Sequence, residues 1–107
     1  MIPDKTGKFM KVKDSISIVT GGASGLGEAT TRCLVAGGGK VAIFDLNEER
    51  GLALVKELGE ENVFYVQTNV TDAEQVEKNV AAVIQHFGAI HSLVNCAGIA
   101  TPGKVIS

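Results

Sequence analysis

Glycines at positions 21, 22, 25 and 27 and a carboxylate at Asp45 are the residues whose types and spacing could do chemistry. The glycines lie in Thr20-Gly21-Gly22-Ala23-Ser24-Gly25-Leu26-Gly27, after the apolar run Ile16-Ser17-Ile18-Val19 and at the start of a segment with helical periodicity. A strand, a tight turn and a helix start in that order can hold a diphosphate by main chain alone. Glycine lets the chain turn sharply and lets the anion approach without meeting a Cβ. The free N–H groups of the first helical turn and the helix dipole supply about half a positive charge. A second apolar run, Lys40-Val41-Ala42-Ile43-Phe44, ends at Asp45, about twenty residues past the glycines, where a carboxylate can accept hydrogen bonds from a ribose diol. Glycine at a strand-to-helix turn also has a purely steric reading, and Asp45 is what weighs against it.

These residues need a scaffold, and apolar runs punctuated by glycine and polar residues supply one. Strand one is read as Ser15 to Thr20. The first helix begins in the glycine loop and runs to Ala36, with Leu26, Ala29, Cys33 and Leu34 as its buried stripe, so Cys33 reads as a small core residue. Gly37-Gly38-Gly39 ends it, and strand two spans Lys40 to Asp45. Asn47 caps a second helix, Glu48 to Leu58, with Leu54, Val55 and Leu58 inward and Gly59 as a left-handed stop. Gly51 within it costs up to ~1 kcal/mol relative to alanine, so this helix leans on tertiary packing. Strand three is Asn62 to Asn69. Thr71 and Glu74 form a capping box for a third helix whose stripe is Val76, Val80, Val83, Ile84 and Phe87, ended by Gly88. Strand four, Ile90 to Asn95, follows.

Strand and helix thus alternate without a hairpin signal, which predicts an α/β fold, a doubly wound parallel sheet of Rossmann type with strand order 3-2-1-4, truncated after its fourth strand. Right-handed crossovers put the first two helices on one face and the third on the other. The glycine turn and the Asn95 loop then meet at the carboxyl ends of strands one and four. The expected organisation is a flexible lead-in over 1–14, a dinucleotide-binding half-domain over 15–100 and a tail over 101–107.

Composition excludes several classes. The chain has 107 residues, 45% of them hydrophobic, and a formal charge of −2, so it is at most one domain and not a disordered segment. Its ten basic residues are scattered among few aromatics, which argues against nucleic acid as a partner. No apolar run approaches the ~18 residues of a membrane span, so no membrane partner is expected. Cys33 and Cys96 are far apart, which favours reduced thiols and an intracellular, cytoplasmic setting, with the mitochondrial matrix as the alternative. His86 and His91 lack ligand spacing, and no metal is expected.

The spacing Thr-Gly-x-x-x-Gly-x-Gly departs from the general dinucleotide fingerprint and resembles the short-chain dehydrogenase/reductase family. Asp45, Asn69-Val70-Thr71-Asp72, His86-Phe87-Gly88 and Leu93-Val94-Asn95-Cys96-Ala97-Gly98 agree with it, so the resemblance covers Ile18 to Gly98. The family commonly reads Asn-Asn-Ala-Gly where this chain has Asn95-Cys96-Ala97-Gly98. With Ile99-Ala100, the Cys variant is similar to the 3-hydroxyacyl-CoA or hydroxysteroid dehydrogenase branch.

The resemblance implies a nicotinamide-dinucleotide site. Gly21 and Gly27 would belong to the cofactor-binding turn, and Ser24, Gly25 and Leu26 would meet the pyrophosphate and nicotinamide side. Asp45 and Leu46 would meet the adenosine ribose, and Asn69 and Val70 would flank the adenine. Asn95, Cys96, Ala97 and Gly98 would form the neighbouring loop and complete the cofactor-binding set. Asn69 stands where the family usually has Asp, keeping a carbonyl acceptor and adding donors. Ala97-Gly98 keeps two readings, ligand contact or close packing beside the glycine turn. NAD is expected over NADP, because Asp45 would repel a 2′-phosphate at a cost of several kcal/mol and no basic residue lies in Gly22-Ala23-Ser24 or at Leu46.

In the resembled family the catalytic Ser and Tyr-x-x-x-Lys lie beyond the Asn-x-Ala-Gly loop, and this chain ends before them. Its one tyrosine, Tyr65, is followed four residues later by Asn69, so it reads as strand packing and no catalytic residue is assigned. The expectation is the NAD-binding portion of a secondary-alcohol/ketone oxidoreductase, inert alone, with a small-molecule substrate only in a full-length parent. The alternatives are a stand-alone NAD-binding or dimerising module and a folded domain whose turn binds nothing. Strand four, with Leu93 and Val94 at an open edge, makes a homo-oligomer the expected assembly.

Overall fold

The computed structural model describes residues 13–23 and 25–96. Four parallel strands, β1 (Ile16–Thr20), β2 (Lys40–Asp45), β3 (Val63–Gln67) and β4 (Ser92–Asn95), form one sheet in the order β3-β2-β1-β4. Helices α1 (Gly25–Ala36), α2 (Glu48–Leu58) and α3 (Ala73–Phe87) connect them. The expected topology is borne out. Its cause is legible in burial: all five residues of β1 and the four central residues of β2 are buried, as central strands covered on both faces require. The outer strands β3 and β4 are only partly buried.

Alternation along the strands divides the core between two faces. Val19, Val41, Ile43 and Val63 meet Leu54 of α2, with Leu34 and Val35 of α1 and Val55 and Leu58 of α2 packed against them. Ile16, Ile18, Ala42 and Phe44 meet Val83 of α3, flanked by Val80 and Phe87. Helices α1 and α2 thus share one face and α3 takes the other, as right-handed crossovers dictate. A serine pair stitches β1 to β4, Ser17 Oγ to Ser92 Oγ at 2.7 Å. At the start of the same pairing, the Ile16 N–H donates to His91 Nδ1 at 2.9 Å.

Four local expectations are corrected. Leu26, Ala29 and Cys33 are exposed, so Cys33 is not a core residue, and the buried positions of α1 are Gly27 and Thr31. Hydrophobicity misled because closeness decides this face: a Cβ on Gly27 would lie 1.8 Å from the Gly21 carbonyl oxygen. The cap of α3 is Asp72, whose Oδ1 accepts from the Glu74 and Gln75 N–H groups at 3.1 and 3.3 Å. Thr71 is drawn away, its hydroxyl donating to Asn69 Oδ1 at 2.6 Å. Ile84 is 49% exposed, since one residue past Val83 turns it ~100° off the inward stripe. Gly59 ends α2 with φ 105° and ψ 134°, a positive φ outside the left-handed helical region. Gly88 does end α3 in that region, at φ 92° and ψ −15°.

Helix α2 explains its own interior glycine. A Cβ on Gly51 would lie 2.2 Å from the Tyr65 ring, so glycine here lets the helix backbone come up against that ring, beside the core packing of Leu54, Val55 and Leu58. Asn47 caps it as expected, accepting from the Arg50 N–H at 3.1 Å.

Candidate nucleotide site at the carboxyl ends of β1, β2 and β4

The turn after β1 is built by three glycines in three ways. Gly21 has φ 68°, which turns the chain off the strand while its N–H donates to the Phe44 carbonyl at 2.8 Å. Gly27 brings α1 down onto that turn. Gly25 opens α1 at φ 56°, and a Cβ built there meets nothing within 4 Å, so its bare side faces open space. Thr31, fully buried, donates to the Gly22 carbonyl at 3.2 Å and pins the second turn of the helix to the loop.

Asp45 closes the other side. Its Oδ2 accepts from the Ala23 N–H at 3.1 Å and its Oδ1 from the Asn47 N–H at 2.8 Å. Its main-chain carbonyl accepts from the Tyr65 hydroxyl at 2.8 Å and the Thr68 N–H at 3.1 Å. A carboxylate oxygen can accept two hydrogen bonds. Each therefore keeps capacity toward an outside donor. Leu46 beside it is 63% exposed. The Tyr65 phenol is pushed up to about 12 by burial, with the Asp45 and Glu48 carboxylates adding to the shift, so its hydroxyl stays a donor at neutral pH.

Register brings β4 to the turn, as expected. Thr20 pairs with Asn95 and donates to Asn95 Oδ1 at 2.7 Å, while the Cys96 N–H donates to the Thr20 carbonyl at 3.0 Å. Cys96 Sγ approaches Thr30 Oγ1 of α1 at 3.9 Å. Asn69 and Val70 follow Thr68 on the far side of Asp45. The acceptor expected of Asn69 is engaged within its own loop, because Oδ1 takes the Thr71 N–H at 3.0 Å as well as the Thr71 hydroxyl. The Asn69 N–H donates to Gln75 Oε1 at 2.9 Å. Ser24, Ala97 and Gly98 lie outside the described residues.

Gly21, Gly25, Leu26, Gly27, Asp45, Leu46, Asn95 and Cys96 thus gather at one end of the sheet. Three contributors escaped the sequence reading: Thr20, which ties the turn to β4; Ala23, whose N–H holds Asp45; and Tyr65. The only sequence signal for Tyr65 was Gly51, a helix-interior glycine that marks a close approach. Beside the site, Glu28 in the first turn of α1 pairs with Arg32 at 2.9 Å and with Arg50 of α2, and Arg32 also pairs with Glu57. Hydrogen bonds from the two guanidinium groups hold the Glu28 carboxyl below its ordinary value, and Arg32 does the same for Glu57.

The open face fits a dinucleotide diphosphate. It combines a helix start, a glycine with no neighbour on its bare side and a carboxylate across the turn, at the carboxyl ends of parallel strands where the order reverses. Among the described residues no group of side chains could hold a metal ion, and no helix is long and apolar enough to cross a membrane.

The chain is 41% identical over 96 residues to "3-hydroxyacyl-CoA dehydrogenase type-2" of Drosophila melanogaster, covering 90% of this chain and 37% of that protein. It is 40% identical over 95 residues to "3-beta-hydroxysteroid dehydrogenase" of Comamonas testosteroni, covering 89% and 37%. The chain therefore spans about a third of the length of the curated relatives it matches. Two solved structures superpose with TM-scores of 0.73 and 0.75, each at 26% identity. The first is a 3-ketoacyl-(acyl-carrier-protein) reductase from Brucella melitensis complexed with NADH, over 77% of this chain and 33% of that one. The second is a short-chain dehydrogenase/reductase from Burkholderia phymatum in complex with NAD, over 79% and 31%. The sequence profile described as "short chain dehydrogenase" matches residues 15–107, and with most of its length matched the chain belongs to the short-chain dehydrogenase/reductase family.

Proposed function

We propose that residues 15–100 form the NAD-binding portion of a dehydrogenase that interconverts a secondary alcohol and a ketone. The observation that carries this is Asp45, held across the glycine turn by the Ala23 N–H and retaining acceptor capacity toward a ribose diol. In this reading the N–H groups at the start of α1 receive the diphosphate over Gly25, Leu26 lies on the nicotinamide side, and Asn69 and Val70 flank the adenine. Ser24, Ala97 and Gly98 belong to the same proposed set. Bound there, a nicotinamide dinucleotide would supply the hydride acceptor; the residues of this chain bind and orient it.

NAD is favoured over NADP. A 2′-phosphate would face the Asp45 carboxylate, and the nearby Arg50 is paired with Glu28. The names of two relatives support a hydroxyacyl-CoA or hydroxysteroid substrate class for the whole protein. The 107-residue polypeptide alone is proposed to bind without turnover, because its one tyrosine holds Asp45 rather than a substrate. Self-association is also proposed. Strand β4 is an outer strand of the described sheet, and Leu93 on it is 64% exposed.

Isothermal titration of the purified chain with NAD and NADP, beside its native mass, tests these statements together. The expected result is saturable NAD binding at least tenfold tighter than NADP, an oligomeric mass, and no NADH production from added secondary alcohols. Failure of NAD to bind overturns the reading.

A further inference from the structure

We infer that Tyr65 is a positioning residue for the nucleotide site: its hydroxyl, acting through the main-chain carbonyl of Asp45, fixes where the Asp45 carboxylate stands. The inference rests on the NAD-binding reading above and deepens it. Asp45 is the last residue of β2, the point at which the strand ladder stops restraining the chain. What restrains it there is a set of four donors: Ala23 of the glycine turn and Asn47 on the carboxylate, and, from the end of β3, Tyr65 and Thr68 on the carbonyl. Two of these are themselves held. Asn79 of α3 donates to Thr68 Oγ1 at 2.8 Å. The Tyr65 ring lies on Gly51, where any side chain would displace it.

The ring and the hydroxyl do separate things. Ring packing on α2 needs no oxygen, and phenylalanine would fill the same space. Among the described residues the hydroxyl's one hydrogen bond goes to Asp45. Burial keeps that hydroxyl protonated, so it donates across the whole neutral range. Loss of the donor leaves the carbonyl to Thr68 alone, and the end of β2 gains freedom at the residue that must meet the ribose.

The test is Tyr65→Phe in the full chain, titrated with NAD alone and in the Asp45→Ala background. Removing one such hydrogen bond is expected to weaken NAD binding about three- to tenfold. It should have no further effect once Asp45 is alanine, since the effect passes through that carboxylate. Faster amide exchange at Ala23 and Asn47 in the variant without nucleotide is the accompanying expectation. A lowered melting temperature with unchanged NAD affinity overturns the inference and leaves the NAD-binding reading standing. So does an equal loss in both backgrounds, or exchange at Ala23 and Asn47 that does not change. Absence of NAD binding by the unsubstituted chain overturns the functional reading and this inference together.

Discussion

The carboxylate of Asp45 and the main-chain N–H of Ala23 are joined by a 3.1 Å hydrogen bond that spans the gap between the end of β2 and the glycine turn. This contact makes the turn and the carboxylate one unit. Strand β1 delivers the turn, β2 delivers the carboxylate, and the parallel pairing of Thr20 with Phe44 sets them side by side.

Asp45→Asn keeps an acceptor for either main-chain donor but removes the charge. Hydrogen bonds to a charged group contribute roughly 1.5–3 kcal/mol, so NAD affinity should fall about ten- to a hundredfold. NADP should fall less or gain, because the repulsion of its 2′-phosphate is relieved. Dissociation constants for both nucleotides check this, and an unchanged NAD/NADP ratio would show that the carboxylate does not face the ribose.

Two glycines in the same turn should fail differently. Gly27→Ala puts a methyl 1.8 Å from the Gly21 oxygen, so the helix must lift off the turn. Overpacking of this kind costs ~2 kcal/mol or more, near 10 °C in Tm for a domain of this size. Gly25→Ala meets no protein atom and carries only the left-handed strain of about 1 kcal/mol, yet its methyl stands where a diphosphate would approach. Its Tm loss should be the smaller and its loss of NAD affinity more than tenfold. Thermal melts with and without NAD separate the two.

The sheet order was legible because Ile16–Val19 and Val41–Phe44 are unbroken apolar runs flanked by glycine and polar residues, and such runs fit only central parallel strands. The inward face of α1 was legible only at Leu34, which packs on the core, because Gly27 and Thr31 carry no hydrophobic signal and are buried by the nearness of the turn. Sequence offers the Asn69 oxygen as an acceptor for a ligand, yet Thr71 two residues on captures it, a local i to i+2 competition typical of Asn. Tyr65 reads from sequence as strand packing, and its hydroxyl does more. Its reach to the Asp45 carbonyl depends on the β2–β3 register, which pairs Tyr65 with Ile43, and no periodicity within either strand encodes that offset.

Helix α3 gives a test of the corrected cap. Asp72→Ala removes both side-chain bonds to the Glu74 and Gln75 N–H groups and should destabilise the chain by ~1 kcal/mol. Thr71→Ala leaves that cap intact and should cost less. Urea midpoints for the two variants decide between them; a larger loss for Thr71→Ala would restore the capping box.

Tyr65 is the chain's one tyrosine, and there is no tryptophan, so absorbance of the phenolate reads a single group. Burial, reinforced by the Asp45 and Glu48 carboxylates, disfavours the charged phenolate in the folded state and moves its titration from 10.0 up to about 12. A pKa raised by folding means that the folded state holds its proton where the unfolded chain has lost it. The associated stability is therefore complete below pH ~10 and declines as pH rises from there through ~12. An alkaline titration of the native chain should show one transition near 12, and the same titration in strong denaturant one near 10. Denaturant midpoints should fall between those values in the unsubstituted chain and change less over the same interval in Tyr65→Phe. A native transition at 10 would mean that the hydroxyl stands in water and does not hold the end of β2.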